Sequence, residues 1–118
     1  MEHTILVVED EQGIREAIGI YMKNQGYNVI LAANGKEGLE KIETNDIHLA
    51  IVDIMMPIMD GYEATLQIRK KDKKIPILAM SANAYMQDIQ KCYQAGMNGH
   101  ISKPLYLEDL KDPIIKIL

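Results

Sequence analysis

Five short apolar segments recur along this chain, and their spacing is the feature that most restricts its fold. They begin 20 to 28 residues apart, which leaves room for one helix and two turns between one segment and the next. Three of them, ILVV, LAIV and ILAM, are apolar at every position, as in strands of a parallel sheet that helices cover on both faces. The pattern predicts an α/β fold with a three-layer sandwich. The predicted strands are residues 5–8, 29–33, 49–52, 77–80 and 100–102.

The segments between the predicted strands have the periodicity of amphipathic helices. Asn34 can cap the second helix, and Glu37 three residues later completes a capping-box pattern. The turn pair Asp60-Gly61 precedes the third helix, which is predicted over 62–71.

The last two predicted helices are less regular. Pro113 should kink or break the helix over 107–118, because proline lacks the N–H that a helix interior requires. The fourth helix is predicted over 84–95, and its apolar face should bury Ile89, Cys92 and Tyr93.

Size and composition limit the possible functions. The 118 residues are expected to form one domain, residues 1–118. Thirteen basic and seventeen acidic residues give a formal net charge of −4, which argues against nucleic acid or an anionic membrane as a direct partner. The single cysteine cannot form an intrachain disulfide, and the first residues lack a secretory pattern. A cytoplasmic location is therefore expected, with no segment that spans a membrane.

Polar side chains follow four of the predicted strands at the point where each strand ends. Glu9 and Asp10 follow the first strand and Asp53 the third. Ser81 follows the fourth strand and Lys103 the fifth. In an open, doubly wound sheet these ends share one edge, and ligands bind in the crevice where the strand order reverses. Three carboxylates, a hydroxyl and an ammonium group are therefore expected to converge.

Three carboxylates in one crevice require a counter-charge. Two of them about 4 Å apart repel by about 4 kcal/mol at the effective dielectric near a protein surface. Mg²⁺ would supply the charge, because it prefers oxygen ligands and binds through one or two carboxylates, waters and phosphate oxygens. The three histidines have no metal-ligand spacing with each other or with Cys92, so zinc is not expected.

Such a site suits phosphoryl transfer. A cation and Lys103 beside Asp53 can neutralise the charge on a phosphoryl group as it moves to a carboxylate. The spacing alone leaves two roles open for Asp53, the nucleophile or a plain metal ligand. It also leaves Asp10 open as a simple N-cap of the first helix.

Four motifs resemble, in order, those of the receiver domain of two-component response regulators. They are ILVVEDE at 5–11, VDIMMPIMDGYE at 52–63, MSANA at 80–84 and ISKP at 101–104. The resemblance implies a flavodoxin-like, five-stranded parallel sheet in the order 2-1-3-4-5, with Asp53 accepting a phosphoryl group from a phosphohistidine. The segment over 81–104 is most similar to the receivers of hybrid histidine kinases.

The resemblance also implies which groups bind the metal. The carboxylates of Glu9, Asp10 and Asp53 and the main-chain carbonyl of Ile54 would bind Mg²⁺, with Mn²⁺ as a substitute. Glu9 stands where the family commonly has Asp, so its longer side chain is expected to contact the metal through water.

Lys103 and Ser81 take their implied roles from the same family. Lys103 would pair with the phosphoryl oxygens, and the Lys103-Pro104 peptide would be cis. The Ser81 hydroxyl would move toward the phosphorylated aspartate, with Ala82 beside it leaving access open.

Besides Glu9, two further positions depart from the family pattern. His100 occupies the switch position usually held by Tyr or Phe. It is equally compatible with a working switch and with a half-buried histidine that only fills space. Pro113 alters the fifth helix, which forms the family's usual output face with the fourth helix and the fifth strand.

These features predict a phosphoryl-accepting signalling switch. It would assist its own phosphorylation and dephosphorylation rather than act as an enzyme on external substrates. Its expected partners are a histidine kinase, a histidine phosphotransfer domain, or both. Two settings stay open, a stand-alone relay module and a domain of a membrane-anchored hybrid kinase. One alternative is a phosphorylation-independent interaction module on the same fold. Another is a phosphatase with an aspartyl intermediate, which typically needs a second Asp where Met55 stands.

Overall fold

The structure, a computed structural model, describes residues 2–81, 86–102 and 107–118. Within these ranges strands and helices alternate along the chain, and every strand boundary lies within one residue of its predicted position. The strands are Thr4–Val8 (β1), Asn28–Ala32 (β2), Leu49–Asp53 (β3), Ile77–Ser81 (β4) and Gly99–Ser102 (β5). The helices are Gln12–Asn24 (α1), Gly35–Thr44 (α2), Gly61–Lys71 (α3), Met86–Ala95 (α4) and Lys111–Ile117 (α5), with a 3-10 segment at Leu107–Leu110 before α5.

The five strands form one parallel sheet in the order β2-β1-β3-β4-β5. This order confirms the flavodoxin-like topology. The chain adds strands on one side of β1 and then on the other, so the order reverses between β1 and β3. A crevice for a ligand is therefore expected at the carboxyl ends of these two strands.

The sheet separates two apolar cores, because successive residues of a strand point to opposite faces. From β1, Leu6 and Val8 pack into the core that lies against α2, α3 and α4. Ile5 and Val7 pack into the core that lies against α1 and α5. Each fully buried aliphatic side chain contributes about 1.5–3 kcal/mol to folding. Helices on both faces of one buried sheet confirm the predicted three-layer sandwich.

The N-terminal caps of α2 and α3 are set by the local sequence. The Asn34 side chain accepts a hydrogen bond from the Glu37 N–H at 2.9 Å, as the capping box predicts. The Glu37 carboxylate reaches one residue further back than expected and accepts from the Ala33 N–H at 2.7 Å. The Asp60 side chain caps α3 by accepting from the Glu63 N–H at 2.9 Å.

Helix α1 begins without Asp10 as its N-cap, the alternative role that the sequence left open for this residue. Its N-cap residue is Glu11, and no side chain caps the helix there. The interpretation of Asp10 as the N-cap of this helix is therefore wrong. Asp10 lies one residue too early along the chain, next to the end of β1.

Helix α4 is described from Met86, and it buries less of its predicted face than expected. Cys92 is fully buried and Ile89 is half-buried, but Tyr93 is 55% exposed. The prediction that Tyr93 is buried is wrong, because the buried stripe runs through Cys92 and Ala95 and an adjacent residue lies about 100° away around the helix. The predicted start of this helix, residues 84 and 85, lies outside the described residues.

The C-terminal helical segment changes its geometry before Pro113. Residues Leu107–Leu110 form a 3-10 turn, and α5 then starts at Lys111. Pro113 is the third residue of α5, where a backbone N–H has no partner within the helix. The structure therefore shows no break at Pro113, and the prediction was wrong because proline lies in the first turn of α5, where it costs no hydrogen bond.

The longest helix among the described residues, α1, has 13 residues, whereas a helix needs about 20 apolar residues to cross a membrane. Within the described ranges, no helix combines the length and the apolar character required.

Candidate functional site

Three carboxylates meet at the carboxyl ends of β1 and β3. Asp53 is the last residue of β3, and Glu9 and Asp10 directly follow β1. Val8 of β1 is paired with Val52 of β3. The next residue on each strand is a carboxylate, Glu9 after Val8 and Asp53 after Val52, so the two lie side by side. One oxygen from each of the three carboxylates lies within 4.8 Å of the other two. The predicted convergence of the acidic residues is confirmed.

The three carboxylates differ in burial. Glu9 is 0% and Asp53 2% exposed, whereas Asp10 is an exposed residue. Burying ionised carboxylates side by side is unfavourable unless other charges or hydrogen bonds compensate. The cluster is therefore a site that favours a cation, and Asp10 is its solvent-facing member.

Arg15 holds the acidic segment against α1. Its Nη1 atom donates to the main-chain carbonyl of Glu9 at 2.8 Å and lies 3.4 Å from the carbonyl of Asp10. Arg15 is not among the site residues predicted from the sequence. The signal was an arginine one helical turn after the first residue of α1, placed to reach back over the end of β1.

The backbone around Asp53 is tightly constrained. The Met55 N–H donates to Asp53 Oδ1 at 3.2 Å, and the Ile54 N–H donates to the Met80 carbonyl at 2.9 Å. A β-carbon on Gly61 would lie 2.6 Å from the Asp53 carbonyl oxygen and 2.7 Å from Ile54 Cα. The start of α3 therefore approaches the Asp53 backbone so closely that only glycine fits at residue 61.

The Ile54 carbonyl, a predicted metal ligand, accepts a hydrogen bond from the Gly61 N–H at 2.9 Å. A carbonyl oxygen has two lone pairs, so this bond leaves one of them. The role of Ile54 as a ligand stays a prediction.

Ser81 lies at the same sheet edge as the carboxylates. It ends β4, is 3% exposed, and follows Met80, the residue opposite Asp53. Lys103, the Lys103-Pro104 peptide and Ala82, which complete the predicted site, lie outside the described residues.

His100 is half-buried on β5, beside Ala79 of β4. Its Nε2 atom is buried, and no group in the described part of the chain forms a hydrogen bond with it. Burial lowers the pKa of the imidazole, and the nearby charge of Asp88 opposes this effect. The histidine is therefore held toward its neutral form.

Tyr62 and Cys92 place further polar groups near α4. The Tyr62 hydroxyl donates to the Asp88 main-chain carbonyl at 3.3 Å. Burial, with a smaller contribution from Cys92, raises the pKa of Tyr62 to about 12. Burial also raises the pKa of the Cys92 thiol. These two groups are therefore uncharged near neutral pH.

A match to a known protein family identifies the kind of domain that carries these carboxylates. The model of the response regulator receiver domain matches residues 5–115, almost the whole chain. The chain belongs to the response regulator receiver domain family. Receiver domains of this family are phosphorylation-based signalling switches in two-component systems.

Individual relatives agree with this assignment. The receiver domain is 39% identical over 108 residues to a cyclic di-GMP phosphodiesterase of Thermotoga maritima, covering 92% of this chain and 29% of the relative. It spans 29 to 54% of the length of four curated relatives that it matches. The phosphodiesterase name therefore describes a protein more than three times as long as the matched region.

Solved structures share the fold over nearly their full length. The chemotaxis protein CheY4 of Vibrio cholerae superposes with a TM-score of 0.96 and 28% identity, covering 100% of both chains. The receiver domain of a sensor histidine kinase of Pseudomonas aeruginosa PAO1 superposes with a TM-score of 0.89 and 32% identity, covering 98% of this chain and 97% of that one. That structure has a magnesium ion coordinated in its active site cleft. The similarity to receivers of hybrid kinases is thus confirmed.

Proposed function

We propose that Asp53 is the phosphoacceptor of this receiver domain and takes its phosphoryl group from a phosphohistidine in a Mg²⁺-dependent reaction. The observation that carries the proposal is the meeting of Glu9, Asp10 and Asp53, with their oxygens within 4.8 Å of one another at the strand-order reversal. Ser81 lies at the same edge.

The donor set fits a hard divalent cation. All three side chains offer carboxylate oxygens, which Mg²⁺ prefers, and two of them are removed from water. Glu9, Asp10, Asp53 and the Ile54 carbonyl would hold the ion. When bound, it would neutralise the buried charge and stabilise the phosphoryl oxygens. Mn²⁺ has the same preference for oxygen ligands and should substitute.

The transfer itself needs a fixed carboxylate. An Asp53 oxygen attacks the phosphorus atom, a new O–P bond forms, and the N–P bond to the donor histidine breaks. The histidine nitrogen keeps the electron pair of that bond. The hydrogen bond from Met55 N–H to Asp53 Oδ1 would orient the carboxylate for the attack. Lys103 and the Ser81 hydroxyl would then contact the phosphoryl oxygens.

The phosphorylated state would act on other proteins. We assign the donor and acceptor partners to a histidine kinase, a histidine phosphotransfer domain, or both, and the output face to α4, β5 and α5. The domain would assist its own phosphorylation and dephosphorylation without turning over an external substrate. A cytoplasmic site of action follows from these partners, without direct contact to nucleic acid or membrane.

Phosphorylation with a small donor tests the proposal directly. Acetyl phosphate with Mg²⁺ should label the wild type once per chain, and Asp53→Asn should remain unlabelled. Asp60→Asn is the matched control, because it makes the same chemical change in the next loop and asparagine still caps α3. EDTA should abolish labelling, and Mn²⁺ should restore it.

Two outcomes would contradict the assignment. Labelling of Asp53→Asn at wild-type stoichiometry would move the phosphoacceptor elsewhere. Equal affinity of a partner for the phosphorylated and unphosphorylated chain would instead favour a passive interaction module, because a switch requires different affinities in its two states.

A further inference from the structure

Ile58 has the most unusual backbone conformation in the described part of the chain. It is the one described residue other than glycine with a positive φ, 71°. The Met59 N–H donates to the Pro57 carbonyl at 2.8 Å, which closes a three-residue turn around Ile58. A γ-turn with positive φ at its centre is rare and strained, and a β-branched residue is especially unfavourable there.

The strain is not offset by packing of the side chain. Ile58 is fully exposed, whereas its neighbour Met59 turns inward and packs against Gly35 and the core. Glycine would adopt the same backbone conformation without steric cost. The isoleucine side chain therefore makes no evident contribution to folding. An exposed, strained isoleucine is explained if the side chain contacts another molecule.

The position of Ile58 points to that role. It lies in the loop over 54–60, which links the phosphoacceptor candidate Asp53 to the cap of α3. The loop also presents Met55, which is 65% exposed. Asp53 itself is 2% exposed, so a protein that delivers a phosphoryl group must bind to the loops around the crevice.

We propose that Ile58 is an apolar anchor for the protein that carries the phosphohistidine. The inference rests on the proposed function, because it takes Asp53 as the acceptor. A protein donor would bury Ile58 at the interface, whereas a small donor would never touch it. The strained conformation of Ile58 would then serve to recognise the protein donor, and it would play no part in the phosphoryl transfer itself.

Replacing Ile58 should separate the two kinds of donor. The probe is chosen from a panel of histidine kinases and histidine phosphotransfer domains, each phosphorylated on its histidine. It is the protein that transfers its phosphoryl group fastest to the wild type. Ile58→Gly and Ile58→Asn both relieve the strain and remove the apolar side chain. Each should slow transfer from this protein by about tenfold or more, the size typical of an interface anchor. Labelling by acetyl phosphate should stay within about twofold of the wild type.

Two further variants control for bulk and for general surface effects. Ile58→Leu keeps the apolar bulk and should retain most of the transfer rate. Leu66→Ala removes an exposed apolar residue, 46% exposed, from the unstrained helix α3 and should leave both reactions unchanged. The denaturation midpoint of Ile58→Gly should equal or exceed that of the wild type, which excludes misfolding as the cause of a slower transfer.

The outcomes distinguish this inference from the proposed function. Three results would overturn the role of Ile58 as an anchor. The first is a wild-type transfer rate in Ile58→Gly, and the second is an equal loss with the protein donor and with acetyl phosphate. The third is a panel in which no protein labels the chain although acetyl phosphate does. A wild type that dimerises through Ile58, with transfer unchanged in the variants, would assign the residue to a second copy and also overturn it. Failure of acetyl phosphate to label the wild type would instead count against Asp53 as acceptor.

Discussion

The two halves of the sheet hold their polar groups in different ways. At the carboxyl ends of β1 and β3, buried carboxylates crowd together and the backbone around Asp53 is fixed by hydrogen bonds and by close contact with Gly61. Around β5 and α4, burial favours the uncharged forms of the half-buried His100 and the fully buried Cys92. One half holds carboxylates in a fixed geometry, and the other buries titratable groups in their neutral forms.

Gly61→Ala should have the largest effect and should damage the acidic half. Its β-carbon would clash with the backbone of Asp53 and Ile54, which cannot move as a flexible side chain can. We expect a loss of about 3 kcal/mol in unfolding free energy, measured by urea denaturation. Gly13→Ala is the matched control, because nothing lies within 4 Å of the added β-carbon. It should stabilise α1 by up to about 1 kcal/mol, and equal losses in both variants would argue against a steric cause.

Asp53→Asn should change stability in the opposite direction. Removing one of three neighbouring negative charges relieves repulsion, so the unfolding free energy without metal should rise by about 1–2 kcal/mol. Mg²⁺ should stabilise the wild type more than the variant, since it binds the native acidic cluster. The check is a pair of denaturation curves with and without Mg²⁺. A variant less stable than the wild type in EDTA would show that the carboxylates are not in mutual repulsion.

Tyr62→Phe should have a smaller effect, at the contact between α3 and α4. It removes the hydrogen bond to the Asp88 carbonyl, whose length of 3.3 Å indicates a weak interaction. The expected loss is about 0.5–1 kcal/mol, without any change in the Mg²⁺ affinity. A large loss of Mg²⁺ affinity would mean that the two halves are more tightly coupled than their structures indicate.

His100 should give the smallest change in stability, and it has a defined pH window. Burial lowers its pKa in the folded state, so the unfolded chain binds the proton more readily. The stability contributed by the neutral imidazole is present above about pH 6.5 and is lost as the pH falls below that value. Denaturation at pH 7.5 and 5.5 should therefore show a smaller pH dependence for His100→Gln than for the wild type.

The same histidine tests whether the β5 half responds to the acidic half. If His100 acts as a switch, its imidazole NMR signals or its pKa should change when Asp53 is phosphorylated. Unchanged signals would show a histidine that only fills space beside α4.

Much of the architecture was predictable because it depends on periodic patterns. Continuous apolar segments predict buried parallel strands, and each strand was found within one residue of its predicted position. The convergence of Glu9, Asp10 and Asp53 followed from the rule that parallel strands share one edge. The predicted burial of Tyr93 failed, because helical spacing defines a stripe but not how wide the contact with the sheet will be.

The order of strands and helices, the capping of α2 and the convergence of three carboxylates could be predicted from the amino-acid sequence, since these depend on neighbours along the chain or on strand ends. The folded structure was needed to show that Arg15 contacts the end of β1, that residue 61 has no room for a β-carbon, and that Ile58 lies in a strained turn. The groups involved are close along the chain, but their distances are set by how α1 and α3 pack against the sheet. Periodicity and local propensity do not specify that packing.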